Sequence, residues 1–244
     1  MSETYRSRIY EQYGSRFQDA TETFDKTAVE RVERAYAYYF RGWLPKSKEA
    51  RIVDVACGNG KLLYFYQQAG FTNISGIDIS PEQISLAQEI TPNVINANAL
   101  DFLESQTTKY DLISGIDIIE HLHKQEVMRF IEICRNALKP NGRIILQTPN
   151  ADSPFGMTHR YGDFTHEVCF NPNLLRRLLK MNGFGSIEAR EQEPVPFSYS
   201  LKSTARYFSW QAIRKMLRLW SLVETGYAGS DILTRVFLIS GVKQ

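Results

Sequence analysis

Cysteine is scarce. The 244 residues contain Cys57, Cys134 and Cys169 and no others, too few and too far apart for a disulfide framework or a cysteine metal cluster. Reduced thiols in a cytosolic protein are the simple reading. Long apolar runs are missing too. No stretch approaches the ~18 residues of a membrane span. The opening MSETYRSRIYEQYG carries charge where a secretory signal has an apolar core. A cytoplasmic protein is expected, with contact at the inner face of a membrane left open. Charge of one sign is also lacking: 29 Lys and Arg stand against 27 Asp and Glu, for a net charge of +2. Such a balance produces no field that would draw nucleic acid, and no nucleic-acid partner is expected.

What is present is an ordinary globular composition, 43% hydrophobic and 23% charged. A chain of this length can bury a full core by itself. Residues 26–44 carry Ala28, Val32, Ala35, Tyr36, Tyr39 and Phe40 at helical spacing, ended by Leu44-Pro45. From 51 onward strand and helix alternate. Strands are predicted at 51–56, 73–78, 93–97, 110–116 and 142–149. Helices are predicted at 61–69, from Ser80-Pro81-Glu82 onward, at 99–105 and at 124–137. Ser80 is expected as a cap, and Pro140-Asn141-Gly142 as a turn. A helix at 172–182 and strands at 185–192 and 232–242 follow. This alternation predicts an α/β fold: a doubly wound, mostly parallel, seven-stranded sheet with helices on both faces. The expected organisation is an N-terminal helical cap (1–50), a core (51–194 and 231–244) and an insertion (195–230).

Asp54-Val-Ala-Cys-Gly58-Asn-Gly60 lies between the first strand and its helix. Glycines there let backbone approach a ligand closely, and ligands of open α/β sheets sit at the carboxyl ends of the strands. Asp78 ends the second strand, where a carboxylate can accept from both hydroxyls of a ribose. The pattern departs from G-x-G-x-x-G, because no glycine stands three after Gly60, which disfavours NAD and FAD.

VDVACGNGKL resembles the first motif of the class I S-adenosylmethionine-dependent methyltransferases. GIDISPEQISLAQ, NANALDFL, YDLISGIDIIEHL and LKPNGRIILQTPN follow in that family's order. The resemblance implies a Rossmann-like methyltransferase fold with S-adenosylmethionine as cofactor. It implies that Asp54 and the loop Ala56, Cys57, Gly58 and Gly60 serve the methionine part. By the same likeness Asp78 binds the ribose and Ile79 lies against the adenine. Asn98 and Ala99 stand at the adenine edge, and Gly115, Ile116 and Asp117 at the methionine end. Ala56 replaces the family's usual first glycine. Asn98 replaces a frequent Asp, and its amide oxygen can still accept from an amino group.

Transfer to a hydroxyl needs a base as well as proximity. The Asn/Asp-Pro-Pro-aromatic run of nucleobase amine methylases is absent after the fourth strand. The candidate base is His166, with Asp163 and Glu167 placed to orient and tune it. His121 is the second candidate, and His159 is a third histidine placed to face the cleft. The simpler alternative for His166 is that it pins the loop before the 172–182 helix. No helical i, i+4 His pair and no carboxylate–histidine ligand set is visible, so no metal is expected.

The segment 163–184 is similar to methyltransferases of bacterial cell-surface polysaccharide biosynthesis. That likeness implies a hydroxyl of a sugar or glycan intermediate as acceptor. Related tails occur in small-molecule and quinone O-methyltransferases, and a non-catalytic cofactor-binding partner subunit is a further alternative. Between Pro194 and Val223 there is no acidic residue, while Lys202, Arg206, Arg214, Lys215 and Arg218 are basic. Ile213, Met216, Leu217, Trp220 and Val223 share one helical stripe. Such a helix either covers the domain, joins two copies in a homodimer, or lies through 202–223 on an anionic membrane surface.

Overall fold

The computed structural model describes residues 5–10, 26–197 and 200–244. Residues 1–4 and 11–25 of the expected N-terminal cap, and 198–199 of the expected insertion, lie outside them. The strands are β1 (Ile52–Val55), β2 (Ile74–Asp78), β3 (Val94–Asn96), β4 (Tyr110–Ile116), β5 (Leu138–Pro149), β6 (Phe184–Glu191) and β7 (Val236–Lys243). They form one sheet in the order β3-β2-β1-β4-β5-β7-β6. β1 to β5 pair in parallel. β7 runs antiparallel to both β5 and β6. The strand order reverses between β1 and β4, so their carboxyl ends open a crevice.

The helices are α1 (Tyr5–Tyr10), α2 (Lys26–Tyr39), α3 (Lys61–Gln68), α4 (Pro81–Ala87) and α5 (Ala99–Ser105). After these come α6 (Lys124–Ala137), α7 (Gly156–Arg160), α8 (Pro172–Met181) and α9 (Leu201–Thr225). A 3-10 turn spans Ile119–His121. The strands read as apolar runs because both sheet faces are covered. One face packs Phe40, Trp43, Leu63 and Phe65 from α2 and α3 and the turns beside them. The other packs Leu103 from α5, Phe130 and Ile131 from α6, and Leu175 and Leu179 from α8. All of these residues are buried, so each large-to-small change costs roughly 2–5 kcal/mol.

One local expectation holds in position and another is corrected. Ser80 stands at the cap of α4, but its side chain makes no capping bond. Its backbone N–H donates instead to Asp78 Oδ1 at 2.8 Å. Pro140-Asn141-Gly142 is not a turn outside the sheet: β5 starts at Leu138 and the triplet forms an irregularity within it. Asn141 takes φ 60° there, a left-handed conformation that Asn adopts at little cost. Among the described residues no helix is long and apolar enough to cross a membrane.

Candidate active site

A cavity of about 940 Å³ opens at the carboxyl ends of β1, β2 and β4. That is room for a nucleoside-sized cofactor beside an acceptor. Asp54, Ala56, Cys57, Gly58, Asp78, Ile79, Asn98, Ala99, Ile116, Asp117, His121, Asp163 and His166 all line it. Gly60 does not. At φ 83° it opens α3, and a Cβ there would come within 2.7 Å of Ile90. Its glycine serves the packing of the loop against α4 and the turn after it. Gly58, at φ 52°, has only the Gln83 side chain beyond its missing Cβ, 3.8 Å away. The space above Gly58 is open toward the cavity.

Asp78 builds this end of the site. Its Oδ2 accepts from Gly58 N at 2.9 Å, and its Oδ1 accepts from Ser80 N. Burial pushes the carboxyl upward, and those two N–H groups oppose the shift. Each oxygen keeps a lone pair for a further donor. Ser80 Oγ is buried on the same wall with no partner among the described residues. The sequence reading missed this hydroxyl; the only signal for it is its position two after Asp78. Ile79 is 46% exposed, an apolar surface at the cavity edge. An open cradle over Gly58, an orphaned hydroxyl and an exposed aliphatic surface beside Asp78 fit a ribose and a flat base.

Asn98 is more committed than its sequence suggests. Its Oδ1 accepts from Leu100 N at 2.9 Å and Asp101 N at 3.4 Å, capping α5. The oxygen offered to an adenine amino group is therefore occupied by the helix. Asp54 is buried and accepts from Ser114 Oγ at 2.6 Å. Burial raises its carboxyl to about 7. Burial likewise pushes the Cys57 thiol upward, which leaves it without thiolate reactivity.

The other end of the cavity is a histidine cluster. Glu167 N and Val168 N both donate to Glu120 O, at 2.7 and 3.1 Å. This ties the 163–168 segment to the 3-10 turn and brings His166 onto His121. Asp163 meets His166 through its backbone, its carbonyl accepting from His166 N at 3.3 Å. His166 Nδ1 lies 2.8 Å from the His159 carbonyl oxygen, which can only accept, so Nδ1 is the donor in that contact. Asp163 Oδ1 instead accepts from Thr165 N and Thr165 Oγ1, at 2.8 and 2.6 Å. Thr165 Oγ1 in turn lies 2.8 Å from His121 Nδ1. Burial and the neighbouring His166 hold His121 down to about 4. Glu167 turns to His123, 3.3 Å away, and to the Tyr5 hydroxyl. Asp117, at φ 54°, accepts from Gln147 Nε2 at 3.2 and 3.0 Å.

Glu120 was overlooked in the sequence although it adjoins His121. It is 1% exposed, and its Oε2 accepts from Thr148 Oγ1 at 3.0 Å. Burial, with Asp117 nearby, holds its carboxyl well above the usual range. Glu120, His121 and His166 thus make a carboxylate–histidine set that the sequence did not display.

The methyltransferase-domain family profile matches residues 24–189, more than half of the chain. The chain belongs to that family. Its fold is that of the S-adenosylmethionine-dependent methyltransferases. A SAM-dependent methyltransferase from Archaeoglobus fulgidus aligns with a TM-score of 0.64 at 19% identity, covering 98% of this chain and 100% of that one. Magnesium protoporphyrin IX methyltransferase from Synechocystis PCC 6803, solved with SAM bound, aligns with a TM-score of 0.59 at 16% identity. That alignment covers 100% of this chain and 99% of the other. In sequence, the ubiquinone biosynthesis O-methyltransferase of Actinobacillus pleuropneumoniae serotype 7 is 29% identical over 110 residues, 41% of this chain and 46% of that protein. The enzyme of the same name from Xylella fastidiosa is 29% identical over 107 residues, 41% of this chain and 42% of that protein. This methyltransferase chain thus spans less than half the length of those relatives.

Proposed function

We propose that this chain is an S-adenosylmethionine-dependent O-methyltransferase for a hydroxyl-bearing small molecule. The observation that carries the reading is the placement of His166 and His121 in the same cavity as Asp78 and the Gly58 loop. One end suits a ribose and the other a proton acceptor. When bound, S-adenosylmethionine supplies a methyl group activated by its sulfonium. Asp78 and Ser80 hold the ribose, Ile79 the adenine, and Asp54 with Ala56, Cys57 and Gly58 the methionine part. His166 Nε2 takes the hydroxyl proton of the acceptor. The His159 carbonyl keeps that nitrogen in its basic tautomer, and His121 remains neutral beside it.

The acceptor reading follows the relatives named for ubiquinone biosynthesis more closely than the sugar or glycan implied by 163–184. A lipophilic acceptor is further supported by α9. Glu191 anchors its inner side, accepting from Trp210 Nε1 at 2.9 Å and from Arg214 at 3.1 Å. The outer side is bare: Met216, Trp220 and Val223 are 66%, 69% and 80% exposed. Lys202, Arg206 and Lys215 are exposed on the same helix. An apolar stripe flanked by lysine and arginine suits an anionic lipid surface.

The test is calorimetry with S-adenosylmethionine and its demethylated product, followed by a methyl-transfer screen over catechols, quinols and nucleotide sugars. Binding of both cofactor forms and transfer to a phenolic hydroxyl are expected. Absence of binding to either form would sink the reading, and transfer only to sugars would return the acceptor to the glycan class.

A further inference from the structure

Glu120, His121 and His166 offer donor atoms that all lie within 4.8 Å of one another. Glu120 Oε1 is buried and has no hydrogen-bond partner among the described residues. A buried carboxylate oxygen left unpaired is costly, and native proteins retain few. Both imidazoles beside it are already fixed from behind. His166 is set by the His159 carbonyl at 2.8 Å, and His121 by Thr165 Oγ1, itself tied to Asp163. Metal-ligating histidines are commonly held this way, with one ring nitrogen bonded outward and the other presented to the ion.

We propose that Glu120, His121 and His166 form a divalent-cation site at the acceptor end of the cavity. One carboxylate and two imidazoles suit a first-row ion such as Mn²⁺ or Zn²⁺ better than Ca²⁺, which prefers all-oxygen shells. Three protein donors leave coordination positions open for an acceptor oxygen. A cation there lowers the pKa of the acceptor hydroxyl, whose proton then leaves to solvent. With the cation bound both imidazoles act through the ion, and the direct proton transfer to His166 Nε2 belongs to the cation-free protein. The inference deepens the O-methyltransferase reading and rests on it for the role of the ion, but not for its binding.

The experiment strips the full chain with chelator and titrates it with MnCl₂, following free Mn²⁺ by electron paramagnetic resonance. One Mn²⁺ bound per chain is expected, displaced by Zn²⁺. Glu120→Gln keeps an acceptor for Thr148 and, with an unchanged circular dichroism spectrum, should weaken binding by about tenfold or more. His166→Ala should do the same. No bound Mn²⁺ at millimolar concentration, or binding unchanged in both variants, overturns the site. Cofactor calorimetry on the stripped protein separates the two readings. Cofactor binding with unchanged turnover in the stripped protein removes the ion from the reaction and keeps the methyltransferase, whereas cation binding without cofactor binding keeps the site and removes the methyltransferase.

Discussion

The imidazoles of His121 and His166 meet edge to face, with ring centroids 4.7 Å apart and planes at 63°. Each has its Nδ1 engaged by an oxygen of the 159–165 segment. The pair is thus held by backbone and a threonine rather than by a carboxylate.

His166→Ala should lower kcat by about 10²- to 10⁴-fold, the usual worth of a group that removes the acceptor's proton directly or through a bound ion. Affinity for S-adenosylhomocysteine, measured by calorimetry, should stay within a factor of a few. Turnover at the wild-type rate would remove His166 from the reaction.

Asp78→Asn should act on the other end. An amide has one acceptor oxygen where the carboxylate uses two, for Gly58 N and Ser80 N. Losing one charge-assisted bond, worth ~1.5–3 kcal/mol, should weaken cofactor binding by roughly 10- to 100-fold. Equal cofactor affinity in variant and wild type would mean that Asp78 only shapes the loop.

Asp54 makes stability depend on pH in an unusual direction. Its carboxyl is raised to about 7 in the fold, against ~3.9 for a free aspartate. The unfolded chain ionises first, so the stabilising effect is full below pH ~4 and is lost as pH rises toward 7. Asp54→Asn cannot ionise and still accepts from Ser114. The cofactor-free variant should therefore melt higher than wild type at pH 8 and not at pH 4, while binding the cationic cofactor less well. Equal melting temperatures at pH 8 would show that Asp54 carries no such burden.

Ala56 occupies φ 56°, which costs a residue with a Cβ ~1–2 kcal/mol. Ala56→Gly relieves that strain but adds freedom to the unfolded chain, worth ~0.4–1 kcal/mol. A net gain of up to about 1.5 kcal/mol is expected, read as a higher urea midpoint at constant slope. A lower midpoint would contradict the strain argument.

Helix α9 should bind vesicles that contain anionic lipid and ignore neutral ones. Trp220→Ser with Val223→Ser should abolish flotation without changing the melting temperature, because both side chains are exposed. Concentration-dependent dimerisation lost in the same variant, with no vesicle binding, would assign the stripe to a second copy of the chain.

Much of this was legible in the residues. Apolar runs at 51–56, 73–78 and 110–116 announced parallel strands, and the acid–glycine turn between β1 and α3 announced a ligand. What stayed hidden depended on distance in the fold. Gly60 resembles Gly58 in sequence, yet it answers to Ile90. The support of His166 is a backbone carbonyl, which leaves no trace in the amino-acid code. Glu120 gained its meaning when two hydrogen bonds to its own carbonyl brought His166 across from beyond β5. Pro140-Asn141-Gly142 reads as a turn because turns use those residues, and an irregularity inside a strand uses them too.

The antiparallel β7 also constrains the order in which the molecule can assemble. β1 to β4 pair from one contiguous stretch of chain, so the cofactor half can form while the rest is still being made. β6 has no neighbour until residues 236–243 slot between it and β5. During synthesis β6 and the α8 helix packed beside it wait for the 25 residues of α9 to emerge first. The long-range closure makes this half the slower one to fold, and an unpaired β6 is the exposed edge of the nascent chain.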